Sequence, residues 1–453
     1  MNDDIAVVRA SLERVRLRSS HVVRYFYAHL FTNHPELRPL FPARMDDQYD
    51  RLFTALVHLV DHLDHPGLLA HLQRLGRDHR KFGTADEDYA AVGDSLVAAI
   101  RFHSSHSWDE RTEAAWVRVY RSAAEAMTGG AHLSIAADEP ASWEATVLSH
   151  RLHGGHTAVI RALTSAPYDW LPGQYAGVEH PELPGVWRPY SLAGRPDRDG
   201  VLEFHVGRVT DGLLSTVLCD RTEPGQILRL GAASGSALAP PPGTPAVTLI
   251  AAGTGWAPVK GVLNELLARK PAPRIRIDVI ARGEADFYDS GALVDILRAH
   301  PYLSAYWWYE EWSEGRVRAA ERLHSNLRAR REWPGEIVYL CGPVMFVQET
   351  AELLHESGLP AESLIRDPLP ASVARRGHVS HAEHFLDPRP VNWIDPDART
   401  RLLDHPPPQP GPPPEPRPPA ESEPGSATRR SAESGPDQRD GGWFEPHRAA
   451  GRV

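Results

Sequence analysis

Cysteine is nearly absent. Only Cys219 and Cys341 occur among 453 residues, so neither a disulfide framework nor a multi-cysteine zinc site can be built, and a reducing compartment is expected. Long apolar runs are missing as well. The longest, from Ala246 to Val259, is broken by Gly253, Thr254, Gly255 and Pro258, which leaves it short of the ~18 residues that a membrane helix needs. The opening Met1-Asn2-Asp3-Asp4 is acidic where a secretory leader is basic, and this points to the cytoplasm. Positive charge is not in excess either. Lys and Arg number 49 against 59 Asp and Glu, a net of −10, which argues against a dedicated nucleic-acid binder.

Proline is the residue in surplus. There are 41, about 9% of the chain against a usual ~5%. Sixteen fall in residues 371–453, and 11 of those fall in residues 405–425. Such a segment cannot bury enough apolar surface to offset its ordering entropy, so residues 371–453 are expected to be a disordered, Pro-rich tail with polyproline-II character. At roughly 100–200 residues per domain, the chain suggests about three domains.

Hydrophobic periodicity divides the rest. Residues 5–130 carry helical spacing: Leu52, Leu56, Leu59 and Leu63 share one face, as do Tyr89, Val92, Leu96 and Ile100. Pro35, Pro39 and Pro42 make the Leu37–Phe41 stretch a tight corner. An all-α domain over 1–135 follows. Residues 140–240 show short alternating runs such as Val201-Leu-Glu-Phe-His-Val, with turns at Pro172-Gly173, Asp199-Gly200 and Pro224-Gly225. They predict an antiparallel barrel of about six strands. From 245 to 370, Val247-Thr-Leu-Ile-Ala and Ile275-Arg-Ile-Asp-Val-Ile alternate with helices, which implies a doubly wound α/β domain on a parallel sheet.

Twelve histidines in residues 1–150 make any single one a weak candidate. His79 is distinguished by its setting. Gln48 and Leu52 are i, i+4 neighbours that face one cavity, and His79 stands on a separate helical segment ending near Phe82-Gly83. An imidazole from one helix facing a polar and an apolar residue from another is how helical proteins hold a flat iron macrocycle. The run Phe26-Tyr27, Leu30-Phe31-Thr32, Pro35-Glu36-Leu37-Arg38, Leu40-Phe41, Asp47-Gln48, Asp78-His79, Asp88-Tyr89 and Ala115-Trp116 resembles the globin domain of flavohaemoglobins. The resemblance implies haem b with His79 as proximal iron ligand, Tyr27 and Gln48 as hydrogen-bond donors to bound O2, Phe41 on the porphyrin, Leu52 bounding the distal pocket and Tyr89 beside His79. One departure stands out. Ungapped comparison puts Ala131 where the family has a glutamate that polarises the proximal histidine.

Arg188-Pro189-Tyr190-Ser191-Leu192 offers a guanidinium fork, an aromatic face and a hydroxyl in succession. Gln174-Tyr175 precedes it. Gly212, Leu214, Ser215 and Thr216 follow where a helix opens, and amides there suit a pyrophosphate. This order resembles the FAD domain of the ferredoxin–NADP reductase superfamily. Gly253-Thr254-Gly255-Trp256-Ala257-Pro258 follows a buried strand. It is either a plain strand-to-helix turn or a nucleotide loop, with Ala257 where the superfamily has a threonine. Cys341-Gly342-Pro343 matches the superfamily's second nicotinamide-side motif, although a buried structural thiol fits Cys341 equally. Arg282 ends a strand where it could meet an adenosine 2′-phosphate, or lie on the surface. The family's terminal glutamate and flavin-covering aromatic are replaced by Arg366-Asp367-Pro368-Leu369-Pro370. The flavin face is then more open, or is covered by Phe385 or Trp393.

The order globin, FAD barrel, NAD(P)H domain implies electron transfer from NAD(P)H through FAD to haem. The resemblance implies nitric oxide dioxygenation, with O2 and NO as the small-molecule partners. Alternatives are an NAD(P)H-dependent flavin/haem reductase for another acceptor, or a globin-based redox or gas sensor with the tail recruiting a partner.

Overall fold

A computed structural model describes residues 2–42, 45–195, 199–235, 239–309, 319–330, 333 and 335–369. The Pro-rich segment expected at 371–453, with Phe385 and Trp393, lies outside the described residues.

Among the described residues, the first domain holds the α-helices α1 (Asn2–Arg16), α2 (Ser19–Asn33), α3 (Asp46–Asp61), α4 (Leu68–His79), α5 (Asp88–His103) and α6 (Glu110–Ala136). The proline corner is a 3-10 turn over Pro35–Leu40, as the spacing predicts. Val8, Leu12 and Val15 on α1 meet Val22, Val23, Phe26 and Leu30 on α2 in one core. Asp109 caps α6, its carboxylate accepting from the Thr112 amide at 2.7 Å. Buried Trp116 donates its indole N–H to Ser11 Oγ at 3.2 Å.

Helices α4 and α6 cross at glycine. A Cβ on Gly76 would stand 1.8 Å from the Met127 carbonyl oxygen, and one on Gly130 would stand 2.1 Å from that of Gln73. The backbones therefore touch, and no larger residue fits at either position. Beyond α6, the chain's passage into the next domain is clasped to α4. Arg77 donates to both Glu139 oxygens (2.7 and 2.8 Å), Arg80 donates to the Glu139 carbonyl (2.9 Å), and Ser134 Oγ donates to Glu139 Oε2 (2.7 Å).

The barrel closes in the order β1-β2-β5-β4-β3-β6. Its strands are β1 (Trp143–His153), β2 (Thr157–Thr164), β3 (Tyr175–Glu179), β4 (Arg188–Ala193), β5 (Val201–Gly207) and β6 (Ile227–Leu230), with α7 (Leu213–Asp220) inserted after β5. Alternation sends Trp143, Ala145 and Val147 of β1 inward, against Ile160, Phe204 and Leu228.

The last domain is a parallel five-stranded sheet ordered β11-β10-β7-β8-β9. Its elements are β7 (Ala246–Ala252), α8 (Trp256–Ala268), β8 (Arg274–Ile280), α9 (Ser290–Ala299), β9 (Ser304–Trp308), α10 (Ala319–Ala329), β10 (Ile337–Pro343), α11 (Val344–Glu356) and β11 (Leu364–Leu369). Every residue of β7 is buried, as a central parallel strand requires. Two strands escape the sequence reading, and both are edges. β9 is rich in aromatics and only half-buried. β11 contains Pro368, which a sheet tolerates only at its edge.

Candidate functional site

His79 is the last residue of α4. Its Nδ1 lies 2.8 Å from the Leu75 carbonyl oxygen. Donation there directs Nε2 away from the helix, the orientation of a metal-ligating imidazole. Desolvation pushes His79 below its ordinary pKa range, so the ring is neutral and can ligate. Gly83, at φ +82°, ends the following turn, and Thr84 Oγ1 donates to the His79 carbonyl at 2.6 Å. Among the described residues, no hydrogen bond joins His79 to Tyr89. The Tyr89 carbonyl instead accepts from Tyr120 Oη (2.7 Å), and burial raises its own hydroxyl to about 12. Ala131 follows the glycine crossing directly, and the carboxylate that reaches α4 is Glu139, on Arg77.

Tyr27 of α2 is buried. Its hydroxyl is pushed up to about 12 by desolvation, against a lowering hydrogen bond with Gln48 of α3. With the Gln48 amide donating, the phenol O–H is left to donate elsewhere. The Phe41 ring stands edge-on to Tyr27 at 5.5 Å, and Leu52 packs on the same core. Tyr27, Phe41 and Gln48 are thus brought together, and Leu52 shares their core.

The segment after His79 docks on the barrel, a feature that the sequence reading missed. Lys81 Nζ sits 2.6 Å from both oxygens of Asp78 and is 7% exposed. It also lies 5.1 Å from the ring centres of Phe82 and Trp187, while Arg229 covers Trp187 at 5.3 Å. Gly177 and Gly231 make room, since a Cβ at either would come within 3.3 or 3.1 Å of Nζ. Ring contacts run from His79 to Phe82 (5.7 Å) and from Phe82 to Trp187 (6.3 Å). Trp187 immediately precedes Arg188. A lysine two residues past a candidate ligand carries no sequence motif, so only its packing shows its role.

On β4, Arg188, Tyr190 and Ser191 are half-buried, whereas Leu192 points into the core. Burial raises the Tyr190 hydroxyl. Tyr175 pairs with Ser191 across β3 and β4. Gln174 is structural: it accepts from the Leu171 amide at 2.8 Å and donates to the Gly235 carbonyl at 3.0 Å. At the start of α7, Ser215 Oγ accepts from the Val209 amide and donates to the Gly212 carbonyl, both at 3.1 Å. Its hydroxyl is used locally, and the Thr216 amide bonds the Gly212 carbonyl. Leu214 is buried in the barrel core.

In the last domain, a Cβ on Gly255 would lie 2.6 Å from the Cys341 carbonyl, so the turn and β10 touch. Gly253 has φ +56° and faces open space. It borders a cleft lined by Trp256, Phe287, Tyr288 and Trp307, with Arg282 exposed just after β8. Cys341 is fully buried and its thiol lies well above its ordinary pKa, so it is no thiolate. Its Sγ approaches Asp367 Oδ2 at 3.9 Å. Burial lifts the Asp367 carboxyl to about 6, which makes it a proton-exchanging group that the sequence reading left as mere replacement. Gly342 packs against Ala252, and Pro343 is exposed.

Barrel and nucleotide domain are latched by Lys260. Its Nζ lies 2.8 Å from both Glu203 Oε1 and Asp289 Oδ2, and His205 Nε2 lies 2.9 Å from Glu203. Trp256, in the glycine turn, donates to Asp289 at 2.8 Å. Burial alone would raise Glu203, but the hydrogen bond from His205 and the charge of Lys260 outweigh it and hold the carboxyl at about 2. Because the folded value is depressed, its stabilisation is present above the unfolded pKa near 4.5 and is lost as pH falls through 2. Replacing Glu203 with Gln should cost on the order of 3 kcal/mol at neutral pH and flatten the stability-versus-pH curve between pH 4.5 and 2. Urea unfolding across that window measures it, and an unchanged slope would refute the latch.

Residues 24–127 match the globin family, 154–237 the oxidoreductase FAD-binding domain and 249–352 the oxidoreductase NAD-binding domain. The chain is 28% identical over 384 residues to a flavohemoprotein of Bordetella pertussis, covering 78% of this chain and 94% of that protein. It is 29% identical over 384 residues to a flavohemoprotein of Bordetella bronchiseptica, with the same coverage. The fold superposes on a flavohemoglobin from Malassezia yamatoensis, solved with bound FAD and heme, with TM-score 0.65 and 20% identity over 81% of this chain and 99% of that one. No described helix is long and apolar enough to cross a membrane.

Proposed function

Because this chain belongs to the flavohaemoglobin family, with a globin followed by FAD-binding and NAD-binding reductase domains, we propose that it is an NAD(P)H-dependent nitric oxide dioxygenase. The balanced reaction takes two NO, two O2 and one NAD(P)H to two nitrate, NAD(P)+ and one proton. The observation that carries the reading is the Tyr27–Gln48 pair set in the same small domain as an imidazole whose Nδ1 is engaged by Leu75.

His79 Nε2 would hold haem b. Arg188, Tyr190 and Ser191 would hold FAD. The Gly253–Trp256 turn and the Cys341–Pro343 segment would hold the nicotinamide nucleotide, whose 2′-phosphate, in NADPH, would meet Arg282. When bound, these groups supply hydride transfer, division of the electron pair and dioxygen binding. The chain's own part is electrostatic and steric. Tyr27 and Gln48 direct donors at developing negative charge, Phe41 and Leu52 keep that pocket apolar, and Asp367 can exchange a proton near neutral pH.

Anaerobic reduction by NAD(P)H in a stopped-flow instrument, followed by mixing with O2 and then NO, tests the proposal. Fast haem reduction with catalytic nitrate formation is expected, and Tyr27→Phe should release O2 up to ~10²-fold faster, with Gln48→Leu adding to the effect. Wild-type oxygen affinity in Tyr27→Phe would sink it. One observation favours a second reading. His79 is oriented by a neutral carbonyl, not a carboxylate, which weakens its electron donation to iron and suits a reductase for another acceptor. Fast flavin turnover with sluggish haem reduction would select that reading.

A further inference from the structure

The corner between α1 and α2 meets the end of α5 in a surface that this chemistry leaves unused. Residues 14–35 carry Arg14, Arg16, Arg18 and Arg24 without one carboxylate, and residues 95–108 are likewise free of Asp and Glu, in a chain whose net charge is −10. The fold brings these two segments together. Tyr25 of α2 stacks on Phe102 of α5 with ring centres 4.5 Å apart, and His21 stands 6.3 Å from His103. Besides burial, the charge of Arg18 is felt at His103. The apolar groups here face solvent: Leu17, at the tip of the corner, is 100% exposed and Phe102 is 60% exposed. Single exposed apolar residues need no explanation. A leucine at a turn tip, flanked by arginines and near an exposed aromatic stack, forms a patch. Arg16 is tied to Glu13 at 3.1 Å and Arg101 to Glu113 at 3.4 Å. Among the described residues, no carboxylate lies within ion-pair reach of Arg14, Arg18 or Arg24.

We propose that Leu17 and Phe102, with Arg14, Arg18 and Arg24, dock the globin on an anionic lipid bilayer. Charge complementarity selects the partner. A patch without carboxylates on an otherwise acidic chain suits a surface of negative headgroups, and the remaining surface is repelled by it, which orients the docking. The apolar tips select a bilayer over a nucleic acid. Leu17 offers a base no ring to stack on, whereas at headgroup depth a leucine and a phenylalanine bury apolar surface while arginines above them keep to the phosphates. Each signal alone is weak, and the two together give reversible, salt-sensitive binding. O2 and NO dissolve better in hydrocarbon than in water, so under the dioxygenase reading a docked globin faces a reservoir of both. Docking itself needs no turnover, and the two readings fail separately.

The test uses the full haem- and flavin-loaded chain and vesicles of phosphatidylcholine with or without roughly 30% phosphatidylserine. The chain should sediment with the anionic vesicles and not with the neutral ones, and it should be released as salt rises past ~0.15 M. Arg14→Gln/Arg18→Gln should bind on the order of 30-fold more weakly. Leu17→Ser/Phe102→Ser should bind roughly tenfold more weakly with unchanged salt dependence. All of these positions are exposed, so the Soret band should stay unshifted. Leu133→Ser, about as exposed as Phe102 but beside the Glu139 clasp, should bind like the parent. Because Cys219 and Cys341 are buried, an environment-sensitive fluorophore can be placed on Leu17→Cys, and its emission should move to the blue on anionic vesicles. Parent-like binding in either double variant, equal affinity for neutral vesicles, no binding by the parent, or a label that stays in water would overturn the docking face. Tighter binding to single-stranded RNA than to the vesicles would overturn it in favour of a nucleic acid.

Discussion

A His79→Ala protein is expected to emerge from purification with little haem and a collapsed Soret band, while its flavin still accepts electrons from NAD(P)H and passes them to ferricyanide. The imidazole is the candidate iron ligand at the end of α4, oriented by the 2.8 Å contact with Leu75. Losing a coordinate bond worth several kcal/mol lowers haem affinity by more than ~10²-fold. The loss should be chemical and not a collapse of the domain. The crossing at Gly76 and Gly130 and the Arg77–Glu139 pair, which hold α4, do not involve the imidazole. Added imidazole should therefore restore the Soret absorbance. Full haem content in the variant would remove His79 from the site.

The second large effect is expected at Lys81. Lys81→Met should leave flavin reduction at the parent rate and slow reduction of haem by at least an order of magnitude. Removing one partner of a buried ion pair leaves the other uncompensated, at a cost of ~3–5 kcal/mol. Here that cost falls on the contact between the globin and the barrel, because Lys81 Nζ lies over Trp187 as well as on Asp78. The surface should loosen, and the approach through Phe82 and Trp187 should lengthen. Asp78→Asn combined with Lys81→Met should recover part of the rate, since the double change removes the orphaned charge. Equal haem-reduction rates in Lys81→Met and parent, read at the Soret band in a stopped-flow instrument, would show that the contact is incidental.

Much of this architecture was legible in the residues. Helical spacing at Leu52, Leu56, Leu59 and Leu63, turns at Pro-Gly and Asp-Gly, and the apolar run before Gly253 each report a local period, and a local period is what sequence displays. The i, i+4 relation of Gln48 and Leu52 likewise foretold that they share a face. Illegible were features made only by the meeting of distant segments. Lys81 acquires its role from Trp187 and two glycines more than ninety residues away. Asp367 is raised to about 6 by burial in an edge strand that its own proline disguises. Gln174 and Ser215 show the converse. They stand in cofactor-like motifs, yet their side chains secure neighbouring backbone.

The clasp of Arg77 and Arg80 on Glu139 bears on how current flows through the molecule. Glu139 lies in the short passage from α6 to β1, so the joint is soldered to the helix that carries His79. Such a joint opposes a ferry in which the globin swings between a loading and a discharging pose. With haem held by His79 and FAD on the barrel, the rings of Phe82 and Trp187 would stand between them, and the rate of haem reduction would then be insensitive to the viscosity of the medium.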